Sequence, residues 1–555
     1  MGYNSLKRKF LPFNMIIFVV NIAAFILGAV YLLFGTNSVF WNIYGFLMLI
    51  VLLCNIAYAY FNCKFNHKGH LYLSLSTLFM IIIPIFNMLV SFSPTHQSSR
   101  SIISCAAIFI LFALGGFMAG QNIFKKKTEV ELFLLQITDK YENEPKNKKR
   151  RRITLIILLS FVLFIGLTIS YGILVINRIW RTDVFLSAFG LFYAYLFLSV
   201  GILIITLLRK KDNHIKLIYL AITMIVFISC LVPVFSIPSF LRESDISYSH
   251  GFSEDYKSNP DFNNAYFRKV KFSIPEYFFG TVSKDYTVKK DIPFYFGVDG
   301  VDKDLILYFD VYGPKNDADM LPGGNSVLIR IHGGEWKYGD KGFLNSAQMN
   351  KYFASQGYVV FDIQYGLSKI NNKLPVWSWG KQHGDYTVDD MVRHIGIFLK
   401  YLADNHKQFN ANIDSVLISG SSAGGNLALA TAIAHESGKY PNIADPRIIF
   451  KGIIPFYPAN GLAQNMGLEA SEEFSNPGIN ADYHSPPCLV FQGTHDGLVS
   501  PEVSNQVVLD NVNGGNKKCS IIYMPYGGHS CDIYFSGYYN QVLLYYMERF
   551  MFQYR

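Results

Sequence analysis

Gly420-Ser421-Ser422-Ala423-Gly424 stands between an apolar run, Ser415 to Ser419, and a stretch that opens a helix, Gly425-Asn426-Leu427-Ala428-Leu429-Ala430. When a strand turns sharply into a helix, backbones come so close that the positions two before and two after the turning residue must be small, and glycine at 420 and 424 meets that demand. The five-residue pattern alone is weak, because a long chain rich in Gly and Ser matches it by chance. The strand before it and the helix after it give it weight. The bland reading of Ser422 is a turn serine or a helix N-cap.

Working outward, the same alternation of strand runs and helical runs continues on both sides. Strands are expected at Leu305 to Val311, Ser326 to Ile331, Tyr358 to Ile363, Ser415 to Ser419, Ile448 to Phe456, Cys488 to Gln492 and Ser520 to Met524. Several are unbroken Val/Ile/Leu/Phe runs, as strands buried on both faces should be. Between them, Val388, Met391, Val392, Ile395, Phe398, Leu399 and Leu402 recur at helical spacing along Thr387 to His406, and Tyr538 to Phe552 reads as a final helix. Both stripes are core packing. The fold class is an α/β domain with a doubly wound, mostly parallel sheet.

A doubly wound sheet gathers functional side chains at the carboxyl ends of its strands. Upstream, His332-Gly333-Gly334-Glu335-Trp336 follows the strand ending at Ile331; its paired glycines let backbone N–H groups of Gly333 and Gly334 point into a cavity, beside the N–H of Ala423. Taken alone, this is also what a glycine-rich turn looks like. Downstream, Gly493-Thr494-His495-Asp496-Gly497 and Tyr526-Gly527-Gly528-His529 place Asp496 and His529 just past successive strands. The order Ser422, Asp496, His529 suits nucleophile, orienting acid and base. His495 is expected to be an exposed loop residue, since only the last loop returns an imidazole over the turn at 422.

The N-terminal part has a different composition. The chain of 555 residues is 51% hydrophobic with 16% aromatic residues, and its mean hydropathy is +0.23. Most of that apolar character falls before residue 240. Seven stretches approach the roughly 20 residues that span a bilayer: Leu11 to Phe34, Phe40 to Tyr60, Leu71 to Phe92, Ile102 to Gly120, Ile153 to Ile176, Val184 to Leu208 and Ile215 to Ile237. The first is too long for a cleavable signal and reads as an anchor. Three regions result: 1–240 transmembrane, 241–285 a polar juxtamembrane linker or cap, and 286–555 the α/β domain.

Cations set the expected orientation. Lys7 to Lys9, Lys64, Lys68, Lys125 to Lys127, Lys146 to Arg152, Arg209 to Lys211 and Lys216 fall in loops on one side, against Arg100, Arg178 and Arg181 on the other. The positive-inside rule then puts the N-terminus in the cytoplasm of a plasma-membrane protein, and an odd span count puts the α/β domain outside. The net charge of +9 is absorbed by these loops and by anionic headgroups, so no nucleic-acid partner is expected. Of seven cysteines, Cys54, Cys63, Cys105 and Cys230 lie in or beside spans; Cys488, Cys519 and Cys531 are odd in number and irregular in spacing, which suits neither a zinc site nor a disulfide framework.

Asp310-Val311-Tyr312-Gly313-Pro314, His332-Gly333-Gly334-Glu335-Trp336, Gly420-Ser421-Ser422-Ala423-Gly424 and Gly493-Thr494-His495-Asp496-Gly497-Leu498-Val499 resemble, in order, the signatures of the esterase/lipase branch of the α/β-hydrolase superfamily, near the hormone-sensitive-lipase-like and HGGxW carboxylesterases. The resemblance covers about half of the chain. It implies a cofactor-independent Ser-His-Asp ester hydrolase with an oxyanion hole at Gly333, Gly334 and Ala423. Glu335 stands where the HGGG version has a third glycine, and Tyr365-Gly366-Leu367 replaces a YRL turn. Cap elements are expected from Gly251 to Tyr286, from Pro375 to Gly384 with Trp377 and Trp379, and from Gly461 to Pro487; their lack of long apolar runs favours a short acyl group. Competing readings are an acyltransferase with the same triad acting on an envelope glycan or lipid, and a transporter or sensor with an accessory hydrolase. Few ionisable residues lie within the spans, which favours an anchor over a transport path.

Overall fold

The computed structural model describes residues 3–63, 68–93, 100–124, 144–176, 186–209, 212–263, 265–316, 318–369, 382–440 and 443–555. The cap segment with Trp377 and Trp379, and the cations at 64, 125–127, 178, 181, 210 and 211, lie outside them, as do the side chains of residues 7–9.

Apolar runs of this length form helices because no other backbone arrangement satisfies its own hydrogen bonds without water. Among the described residues, seven helices are long and apolar enough to cross a membrane by length and composition. These are α1 (Tyr3–Phe34), α2 (Val39–Cys63), α3 (Lys68–Leu89), α4 (Ile102–Phe124), α5 (Lys146–Leu174), α6 (Gly190–Leu207) and α7 (Asn213–Phe235). Helix α6 is buried by its neighbours along nearly all its length. A Cβ on its Gly201 would fall 1.9 Å from Thr223 Oγ1. Asn21 on α1 and Asn55 on α2 exchange two hydrogen bonds of 2.8 Å, the kind of polar tie that joins helices in an apolar medium. The outward faces carry Leu33, Phe34, Phe40, Ile102 and Leu217, each more than 60% exposed.

The stretch expected to be a linker carries two helices. Helix α8 (Ile237–Gly251) continues directly from α7; its buried residues Ile237, Phe240, Ser244 and Tyr248 repeat at helical spacing. Helix α9 (Ile274–Phe279), capped by Ser273, is a wedge into the bundle. Asn42 brackets its start, accepting from Ile274 N and donating to Phe272 O, both at 2.8 Å. Tyr277 stacks on Phe192 at 4.8 Å and donates to Ala188 O at 2.9 Å. Within the stretch 251–286, expected over the site, Phe272, Ile274 and Tyr277 thus meet the bundle, and Phe262 and Phe267 pack on Phe552 of the final helix. Their aromatic side chains serve packing.

Eight strands form the main sheet, in the order β1-β2-β4-β3-β7-β8-β9-β10. They are β1 (Tyr286–Phe296), β2 (Ile306–Pro314), β3 (Ser326–Ile331), β4 (Val359–Ile363), β7 (Asn412–Ser421), β8 (Phe450–Phe456), β9 (Cys488–Gly493) and β10 (Cys519–Met524); β5 (Leu367–Ser368) and β6 (His383–Gly384) form a separate pair. The β1/β2 and β2/β4 pairs are antiparallel and the remaining pairs parallel. All seven expected strands are present, and the antiparallel edge strand β1 is additional. Helix α11 (Val388–Asn405) buries the expected stripe behind a Thr387/Asp390 capping box. Helices α10 (Leu344–Ala354), α12 (Ala423–Glu436), α13 (Pro501–Asn513) and α14 (Tyr538–Tyr554) complete the layers that position the site.

Candidate active site

In the β3/β7 register Gly420 lies opposite Ile331, so the turn at 422 emerges beside the loop that begins at His332. Ser422 has φ 56° and ψ −119°, a conformation that costs free energy and persists only where the surroundings impose it. They do so by close backbone approach: a Cβ at Gly420 would meet Gly424 O at 2.2 Å, and one at Gly424 would meet Ile331 O at 2.3 Å. Ser422 N donates to Phe456 O at 2.9 Å, and Ser422 O accepts from Ala459 N at 3.1 Å. The turn is thereby pinned to the end of β8. Ser422 stands at the N-cap position of α12 but makes no side-chain capping bond.

Asp496 and His529 are brought together. Their side chains meet at 2.8 Å, Nδ1 to Oδ2, with Asp496 fully buried and His529 5% exposed. The other oxygen, Oδ1, accepts from the amides of Leu498 at 2.9 Å and Val499 at 2.8 Å. Such donors hold a carboxylate in one orientation. The two loops are matched: His495 N donates to Gly527 O at 2.9 Å, and a Cβ at Gly493 would strike the same oxygen at 2.3 Å. His495 is half-buried against Tyr526, ring centroids 4.8 Å apart; it is not the exposed residue expected.

The glycine pair lies where the serine is. A Cβ at Gly333 would come within 2.5 Å of Ser421 O and 3.3 Å of Ser422 Cβ, so only glycine lets this strand of backbone pass. Gly334 has φ 123°, and a Cβ there would meet Tyr338 O at 2.1 Å. Glu335 and Trp336 continue the turn at φ 55° and 57°. Ala423, the first residue of α12, is fully buried. The loop is braced from behind: Tyr365 stacks on His332 at 4.4 Å and donates to His332 O at 3.0 Å. Burial pushes the His332 imidazole down from its usual range, and its Nδ1 lies 2.9 Å from Gly333 O.

The altered turn at 365–367 has a physical explanation. A Cβ on Gly366 would come within 2.7 Å of both His394 and Tyr386, so those side chains fill the place a longer residue would take. Gly366 N donates to His394 Nδ1 at 3.1 Å. His394 is itself tied to Asp302 at 3.0 Å, and Arg393 grips the same carboxylate with two nitrogens. Against its own partial burial, hydrogen bonds from Arg393 and His394 hold Asp302 well below the usual carboxylate range.

Two groups beside His529 carry no motif signal. Tyr457 directly follows β8; its ring lies 4.7 Å from that of His529, and its hydroxyl donates to Asp532 Oδ1 at 2.5 Å. Asp532, three residues beyond His529 and buried, also accepts from Asn345 at 2.9 Å. Only the proximity of Asp532 to His529 in sequence could have hinted at it.

Residues 309–477 match the BD-FAE family model, a span that contains Ser422 and the glycine pair. No curated protein matches the chain. Solved structures similar to it include Thermogutta terrifontis esterase 2 phosphorylated by paraoxon (20% identity, 44% of this chain and 84% of that one, TM-score 0.32). Another is the same organism's Est2 with butyrate bound (20% identity, 46% and 91%, TM-score 0.35). A third is esterase B from Lactobacillus Rhamnosis (19% identity, 53% and 88%, TM-score 0.34). The family match thus falls on the part of the sheet that carries Ser422 and the glycine pair, and over 309–477 the chain is similar to BD-FAE proteins.

Proposed function

We propose that the chain is a membrane-anchored carboxylesterase in which Ser422 is the nucleophile, His529 the general base and Asp496 its orienting acid. The observation that carries this reading is the buried 2.8 Å contact between His529 and Asp496, set in the same strand-end cluster as a strained, non-capping Ser422. His529 accepts the serine proton as Ser422 Oγ attacks the ester carbonyl, then returns it to the departing alkoxide. Water repeats the cycle on the acyl-enzyme. Amides of Gly333, Gly334 and Ala423 receive the negative oxygen of the tetrahedral intermediate; each such donor is worth about 2.7–4 kcal/mol. Asp496 keeps the proton on Nδ1 and stabilises the imidazolium.

The reading extends to the membrane and to sidedness. The wedge α9 meets the bundle at Asn42, Asn87 and Ala188, and the α/β domain meets it at Ser91. All lie at the helix ends opposite the exposed basic start of α5, Lys146 to Arg151. Cationic ends face the cytoplasm, which puts the esterase outside. Substitution Ser422→Ala tests the core of the proposal: turnover of p-nitrophenyl acetate should fall to background while the unfolding temperature stays within a few degrees of wild type. Retained turnover would remove Ser422 from the mechanism.

A further inference from the structure

We propose that Asp532, acting through Tyr457, is a positioning residue for His529. This rests on the triad assignment above and adds a second carboxylate to it. Tyr457 is itself constrained. Its φ is 36°, its N–H donates to Phe491 O at 2.6 Å, and its hydroxyl is fixed on Asp532. The ring therefore cannot swing away from the imidazole it meets at 4.7 Å with a tilt of 59°.

Asp532 is held in turn. Asn345 of α10 donates to its Oδ2, and Asn540 of α14 donates to Asn345 Oδ1 at 2.7 Å. Helix α10 is also tied to the bundle, by Gln348 donating to Asn87 O at 3.1 Å and Lys351 to Ser91 O at 2.8 Å. Both oxygens of a buried carboxylate are thus committed to neutral donors that fix the loop carrying His529. Burial also pushes the Asp532 carboxyl up from its ordinary range, against the opposing pull of the Tyr457 hydrogen bond and of the Arg330 and His529 charges.

The arrangement matters most when His529 is charged. As the proton passes from Ser422 Oγ to the imidazole, a cation forms beside an aromatic ring whose hydroxyl is donating to a carboxylate, and this raises the electron density of the ring. Attraction between a desolvated cation and such a ring is of a size that changes rates about tenfold. The charge on His529 exists only after proton transfer, so the effect is expected in the transition state and spares ground-state binding.

The test uses the full-length protein in detergent, with each variant's rate divided by the concentration of serine that an alkyl fluorophosphonate titrates. Tyr457→Phe keeps the ring and loses the hydroxyl; kcat per titrated serine should fall about tenfold, with KM within twofold. Asp532→Asn should lower kcat at least as far. A variant that lowers the unfolding temperature while kcat per titrated serine is unchanged would overturn the positioning role and leave a structural one. An unlabelled wild type would overturn the triad reading and this proposal with it. A labelled wild type with an unaltered Tyr457→Phe rate would overturn this proposal alone.

Discussion

Asp496 accepts hydrogen bonds from two backbone amides and from His529, so its orientation is set independently of the substrate. Asp496→Asn should leave the fold intact but offer His529 an amide in place of a carboxylate. The wrong tautomer is then favoured, and kcat should fall by about 10⁴-fold at neutral pH; steady-state kinetics showing less than a tenfold loss would contradict the role. A second carboxylate makes a pH prediction. Burial lifts Asp362 from 3.8 to about 6, with Gly342 N and Asn350 donating to it at 2.8 Å each. The folded state therefore holds this proton more tightly than the unfolded chain does, so its contribution is fully present below pH 3.8 and is lost as pH rises through 6. Asp362→Asn should flatten the change in unfolding temperature between pH 4 and pH 6, approximately the window of that titration; an unchanged pH profile would refute it. At this scale the candidates legible in the sequence were those picked out by chain order and glycine spacing: Ser422, Asp496, His529 and Gly333. Tyr457, Asp532 and Asn345 were invisible because their relation is purely spatial. An isolated Tyr, Asp or Asn carries no pattern until three elements converge.

The elements around the site owe their positions to close backbone packing. Gly333→Ala places a methyl 2.5 Å from Ser421 O, and backbone cannot yield as a flexible side chain would. The loop should shift its amides away from the developing oxyanion, lowering kcat by about 10² to 10³-fold with little change in KM; an unaltered kcat would show that this loop is not a donor. Strands β3, β4, β7, β8, β9 and β10 were legible because parallel strands covered on both faces are unbroken apolar runs. Strand β1 was not: it is an edge, exposed through Lys289, Lys290 and Asp291, and broken by register shifts between Lys289 and Ile292 and between Pro293 and Tyr295. Helix α8 was missed because Ser244 fills one of its four buried positions, which leaves the apolar period too sparse to read. The wedge α9 escaped notice because six residues are too few for a period, and its burial depends on a bundle that the local sequence does not describe.

Across the whole molecule, the α/β domain is seated on the bundle through a face that would otherwise be apolar. Tyr277, Phe278, Phe279, Tyr534 and Tyr538 are each at most 1% exposed, and Tyr534 packs against Phe189 and Phe192 at 5.6 and 5.7 Å. A fragment from residue 241 onward should expose this patch and associate, because contiguous apolar surface of that kind is rarely tolerated on a monomer; a monodisperse monomer on size-exclusion chromatography would argue against a shared core. The number of long apolar helices was legible from composition, since length and apolarity alone define them. The docking face was not, because it pairs residues hundreds of positions apart. Sidedness predicts that a membrane-impermeant fluorophosphonate labels intact cells as fully as lysed ones; labelling only after lysis would invert the topology. The central claim is that His529 makes the Ser422 hydroxyl reactive. Peptide mass spectrometry of the purified full-length protein after fluorophosphonate treatment tests it most directly. An adduct on Ser422 that is nearly abolished by His529→Ala is the predicted result; an adduct on another residue, or undiminished labelling of Ser422 in that variant, would contradict it.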